Sequence, residues 1–310
     1  MIQNIVRKVT MPLLAVAMWA TPVTADTFTP GDYIGLVEAL TDRVVIPTYE
    51  RFAIETTVLS ETLKSFCGQP TMAAAETVTR RFHDTMDAWA HARPILLGPV
   101  LNAPGPARFQ FWPDKRGTGQ RQLRRVLATK DAGVLNAHRL ATKSVALGDL
   151  QALEYVLFDD PQATPLNDPF RCAYASTIAD LQRSRAALLL QDWTRPEGFR
   201  DQVIGAVNGT EAFFDEREAA GAFLNSVIGT LESVRLQKLD RPMGLTIESA
   251  RRSRVESRRS GRSFRNIALN LETAHAFFTV PGGINNLLAK LPDNDNAQLP
   301  KNYLRTLLPT

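Results

Sequence analysis

The chain has 310 residues, 44% hydrophobic and 22% charged, with a formal net charge of +4. Those proportions belong to an ordinary globular protein and exclude a disordered tail, a collagen-like repeat or a disulfide-dense miniature. Residues 1–25 read as a secretory signal: Arg7 and Lys8, an apolar run from Met11 to Ala20, and the small-residue site Val23-Thr24-Ala25. That run is shorter than the roughly 20 residues a membrane span needs, and no later stretch is long and apolar enough. The expectation is an exported, periplasmic protein with no transmembrane span and a mature net charge of +2.

After the signal the apolar spacing is helical nearly throughout. Residues 32–64 form the first such stretch, with Pro47 as a kink or break. A second helix is predicted over 71–91, opened by Pro70 and Thr71 and closed near Pro94. Residues 96–112 are rich in Gly and Pro and read as a long ordered loop. Helices follow over 120–128 and 132–147, and Gly148 interrupts before another at 150–158. Residues 159–168, with Pro161 and Pro165, form the clearest linker. Beyond it helical patterns occupy 172–192, 196–208, 210–238, 245–278 and 284–290. No segment alternates like a strand, so the fold class is all-α. The expected organisation is two packed helical-bundle halves, 26–160 and 161–310.

The segment 148–158 is the most informative. Residues three or four apart share a helix face, so Gln151, Glu154, Tyr155 and Phe158 line one side and Leu150, Leu153 and Leu157 another. A carboxylate between apolar stripes needs a cation, a metal or hydrogen-bond donors. Residues 245–278 read as a second such helix. On it Ser253, Ser257, Ser260, Phe264, Ile267, Leu271 and Phe278 form a seam running from hydroxyls into core. Seven arginines and one acid, Glu256, lie between Arg251 and Arg265. Such a run reads as a solvated basic face, as an anion or carboxylate site, or as the counter-charge for Glu154. Nucleic acid is excluded by export and by the lack of interleaved aromatics. Glu154 is therefore expected to be buried between the two halves, with Ser257, Ser260 or an arginine as its partner.

The remaining chemistry is sparse. Trp112-Pro113-Asp114 reads as an ordered loop whose aspartate caps a turn. None of the four histidines sits in a zincin spacing, and no G-x-S-x-G elbow occurs. His138 is the histidine placed to approach the Glu154 helix. Cys67 and Cys172, an even count in an exported chain, are expected to form a disulfide.

Three segments in order, the 148–158 helix, Phe111-Trp112-Pro113-Asp114 with Gln120, and Glu256-Ser257 with Ser260 and Ser263, resemble the imelysin-like family (peptidase family M75) from about Tyr49 to Phe278. The family's signature helix carries a glycine, then His-x-x-Glu. Here Glu154 matches the glutamate, Gln151 stands at the histidine and Asp149 at the glycine. The resemblance implies two helical bundles with a site near their interface. It places Trp112 and Asp114 close to that site, beside Gln151, Glu154, Asp149, Ser257, Ser260 and Arg258. It also implies a link to bacterial iron uptake, with iron-uptake or other envelope proteins as partners. An iron or other metal ion, weakly held by Glu154, is the implied cofactor. Losing the histidine argues against the peptidase activity in the family's name. A binding or accessory protein is therefore expected, with a structural or partner-binding envelope module as the alternative.

Overall fold

The computed structural model describes residues 28–159 and 167–291. The expected signal and most of the 159–168 linker lie outside the described residues. No strand occurs among the described residues, and the fold is all-α as expected. No described helix is long and apolar enough to cross a membrane.

Helix α1, Pro30–Leu40, begins on a capping box between Thr29 and Asp32. It runs through a wide π turn, Thr41–Val45, into α2, Ile46–Gly68. Pro47 follows directly on the π turn, whose wider spacing accommodates the ring and the missing N–H, so the helix changes pitch there instead of breaking. α3, Met72–Ala92, opens on the Thr71 side chain. α4 is Thr118–Thr129, α5 Ala137–Ala141, α6 Leu150–Phe158 and α7 Pro169–Thr194. α8 is Phe199–Ile204, α9 Glu216–Ser233, α10 Arg241–Met243, α11 Ser263–Thr279 and α12 Ile284–Leu288.

α2 is the central helix and packs most extensively on α7 and α3, while α11 lies against α3 and α9. One hydrophobic cluster spans these helices, so the core is continuous across residue 160. A disulfide between Cys67 and Cys172 ties the end of α2 to the start of α7, with Cα atoms 5.6 Å apart. The expected pairing is therefore present.

Two expected helices are replaced by irregular chain. Residues 132–147 hold only short α5 between two 3₁₀ turns, Ala132–Val134 and Val145–Leu147. Asp131 and Asn136 cap the backbone there and restart the chain twice. The larger correction concerns 245–278. Only α11 is a long helix, and residues 244–262 are loop with two 3₁₀ turns, Ile247–Ser249 and Arg252–Arg254. Gly244 and Ser257 adopt positive φ, and Ser249 folds back on Thr246. A helix would also have stacked the arginines one turn apart, like charge on like. The face of α11 is corrected too: Phe264 is 82% exposed, whereas Asn266, Asn270 and Phe277 are buried. The buried amides donate to neighbouring segments, Asn270 to the Ala90 carbonyl at 2.6 Å and Asn266 to Ser257 Oγ at 3.1 Å, while Asn266 Oδ1 has no partner.

Candidate functional site

The site begins with the loop over 96–112. Its anchor is an aromatic cluster: Phe109 lies 4.8 Å from Trp89 and 5.4 Å from Phe52, centroid to centroid. Trp89 Nε1 donates to Gln110 Oε1 at 2.8 Å, giving the buried indole its acceptor. From α7, Gln182 Nε2 donates to the carbonyls of Arg108 and Gly148, at 2.9 and 2.5 Å. Arg185 donates to the same two carbonyls. The Leu150 N–H donates to the Phe109 carbonyl at 2.8 Å. Loop and α6 are thus held as one unit against α7. At Gly148 a Cβ would stand 2.8 Å from Leu181 and 3.2 Å from Leu140, so the glycine permits this close approach.

Asp149 is the N-cap of α6. It accepts the Ala152 N–H at 2.7 Å and the Phe111 N–H, so it joins the helix start to the Trp112 loop. Burial pushes its carboxyl up to about 7, with the Phe111 and Ala152 amides and Arg185 opposing the rise. Asp149 therefore builds the site from behind and does not line it.

Glu154, one turn into α6, is buried. Its Oε1 accepts both the Ser260 N–H and the Ser260 hydroxyl, each at 2.8 Å. Burial raises its carboxyl above the ordinary value, opposed first by these Ser260 donors and then by the charge of Arg259. Arg259 donates from Nε to Asp159 at 2.5 Å and lies 4.5 Å from the Tyr155 ring centroid. Ser260, like Asp149, sits behind the cavity wall.

The third component is Trp112-Pro113-Asp114, with a cis Trp112–Pro113 bond. Asp114 caps α4, accepting the Thr118 and Gln120 N–H groups at 2.9 and 3.2 Å. Behind Trp112 lies a buried ion pair, Lys238 with Glu256 at 2.8 Å, and Lys238 Nζ stands 5.8 Å from the Trp112 ring centroid. Burial lowers the Lys238 ammonium from its usual value while Glu256 opposes that shift. Among the seven arginines, Arg262 and Arg265 pair with Asp87 on α3 and not with Glu154.

These segments enclose a cavity of about 300 Å³. Trp112, Asp114, Gln151, Glu154, Ser257 and Arg258 all line it. His138 does not; it is exposed on α5. Sequence reasoning missed Lys115, Arg241 and Arg254, which bring the wall to five cationic side chains against the carboxylates of Asp114 and Glu154. The signal for Arg254 was its place in the arginine-rich segment, but the turn that carries it inward has no sequence period. A metal ion does not suit this donor set. No group of three or more His, Cys, Asp or Glu gathers among the described residues. Glu154 Oε1 already holds two donors, and guanidinium groups surround it.

The family model for imelysin (peptidase M75) matches residues 45–303. The chain belongs to the imelysin family. Among curated proteins no sequence match was found. Two solved structures share the fold. An imelysin-like protein from Psychrobacter arcticus 273-4 is 18% identical, with TM-score 0.73, over 89% of this chain and 81% of that one. A protein from Parabacteroides distasonis ATCC 8503, named "putative iron-regulated protein A precursor", is 14% identical, with TM-score 0.70, over 84% and 76%.

Proposed function

We propose that this imelysin-family protein is an exported, non-catalytic binding protein linked to iron uptake, and that its ligand site is the cavity between α6 and the loops at 112–120 and 241–259. The observation that carries the reading is the convergence of Gln151, Glu154, Trp112 and Ser257 on one polar cavity. Its size suits a small molecule. Metal-assisted hydrolysis would need an activated water, and the one lining carboxylate not spent on a cap, Glu154, accepts two hydrogen bonds from Ser260. The disulfide fits an oxidising compartment such as the periplasm. The iron link rests on the name of the Parabacteroides neighbour. Exposed Leu245, Ile247 and Phe264 favour a second reading, a partner-binding envelope module.

Native mass spectrometry of the mature protein, extracted gently from the cell envelope, tests the first reading. A small-molecule adduct is expected, and Ser253→Trp, which fills the cavity from its exposed wall, should lose it. An adduct that survives Ser253→Trp would place the ligand elsewhere. Chelator-sensitive peptide cleavage that vanishes in Glu154→Gln would refute the non-catalytic reading.

A further inference from the structure

Two arginines of the cavity wall carry buried hydrogen-bond donors that have no partner. The Arg259 side chain is only 10% exposed, yet its Nη2 is buried with no hydrogen-bond partner. Arg241, at the start of α10, has its Nη1 in the same state. Gln151 adds a buried Oε1, also without a partner. All three residues line the cavity. Buried donors left unpaired are costly, and charged ones more so.

The acids nearby do not relieve this. Both oxygens of Asp114 are taken by the amides that start α4, and Glu154 Oε1 is taken by Ser260. Asp159 occupies Arg259 Nε and leaves Nη2 unpaired. Arg258 stands beside Arg259, and its guanidinium is pushed below its usual value by burial first and by Arg259 second. An anion placed in the cavity would offset the mutual repulsion of these guanidinium groups, and a small turn of Arg241 or Arg259 would give an orphaned donor its acceptor. A free cation would meet the repulsion in full.

We propose that the cavity binds a compact oxyanion, a carboxylate or a phosphate, between the guanidinium groups of Arg241 and Arg259, with Gln151 Oε1 accepting from a hydroxyl or N–H of the same molecule. The proposal rests on the cavity being a ligand site and narrows that site to one chemical class. Guanidinium forks match both planar carboxylates and tetrahedral phosphates, which is why the two share the assignment. The volume, about 300 Å³, is at the small end of ligand pockets and limits the ligand to a compact molecule.

Isothermal titration calorimetry on the mature chain tests this with citrate, malonate, inorganic phosphate and, anaerobically, ferrous chloride as probes. Binding of a carboxylate or of phosphate is expected, weakening as sodium chloride rises, and which of them binds separates the two sources. Arg241→Gln and Arg259→Gln should each weaken it about tenfold or more, the worth of a charged hydrogen bond. Arg116→Gln, at an exposed position off the cavity wall, should leave it unchanged. Arg259 also holds Asp159 and Tyr155, so Arg241→Gln carries the test if Arg259→Gln fails to fold. Anion binding unaffected by Arg241→Gln overturns the proposal. Ferrous binding lost in Glu154→Gln, with no anion bound, overturns the oxyanion while leaving the cavity a ligand site. No binding of any probe overturns the oxyanion, and if the native protein also carries no adduct, the ligand-site reading falls with it.

Discussion

Replacing Glu154 separates a carboxylate held by serine donors from one held by a full ion pair. In Glu154→Leu the Ser260 hydroxyl still has an acceptor, the Ser257 carbonyl at 3.3 Å. Only the Ser260 N–H is stranded, which costs about 1–3 kcal/mol. Removing a carboxyl that burial already disfavours offsets part of that, so a net loss of about 1–2 kcal/mol is expected. Stranding one member of a buried ion pair would instead cost about 3–5 kcal/mol. Glu154→Gln keeps an acceptor for both Ser260 donors and should stay within about 1 kcal/mol of wild type. The pH dependence has a definite sign. The folded carboxyl sits above its unfolded value of 4.5, so the folded state binds the proton more tightly. This group's contribution therefore falls as pH rises from about 4.5 to the folded value and is level above it. Asp149, pushed up to about 7, acts with the same sign, so the Glu154 share is read from the difference between wild type and Glu154→Gln. Urea unfolding from pH 4 to 8 is the assay. A Glu154→Leu loss above about 4 kcal/mol, or Gln as costly as Leu, would show that an arginine and not Ser260 holds the carboxylate.

Thiol titration of the denatured, unreduced protein should find no free thiol. Opening the bond by Cys67→Ser with Cys172→Ser should cost about 4–5 kcal/mol in urea unfolding, from the 105-residue separation it closes. Lys238→Met leaves Glu256 buried without its 2.8 Å partner and should cost about 3–5 kcal/mol, with much of the loss recovered in Lys238→Met/Glu256→Leu; if the double variant is no more stable than the single, the pair is not coupled. Gly148→Ala forces a Cβ to within 2.8 Å of Leu181, so thermal unfolding should show a loss of about 1–3 kcal/mol; an unchanged melting temperature would mean that α7 can withdraw without cost.

The fold was legible because it rests on helical periodicity, which needs only local sequence. α2, α3, α7 and α9 bury the apolar residues their spacing selects. Glu154 was legible for the same reason: an acid between apolar stripes must be buried and must find donors. Residues 244–262 were not legible as a loop, because serines and arginines three and four apart imitate a helix face. What breaks that helix is tertiary: Lys238 draws Glu256 inward, and Asp87 on α3 draws Arg262 and Arg265. Arg241 could not be placed in the site from sequence at all, since it stands at the start of α10 and meets the cavity only where Arg254, donating to the Arg241 carbonyl, brings the 252–254 turn against that helix.

Glutamine at position 151 follows the same electrostatic logic. A neutral imidazole beside Glu154 would give two donors one turn apart to a cation, the start of a metal site. An amide gives a weaker ligand. Here the carboxylate is turned to Ser260 and five cationic side chains share the wall with it. A bound cation would have to displace Ser260 from Glu154 and withstand Arg241, Arg258 and Arg259 together. An anion would need neither, because it would be drawn to Arg241 and Arg259, each of which has a buried donor with no partner. In this imelysin-family chain the glutamate is better understood as the anchor that holds the 257–260 turn, and the arginines beside it, against α6. Its contribution to binding is then to position Arg259, so Glu154→Gln should weaken anion binding less than Arg241→Gln does.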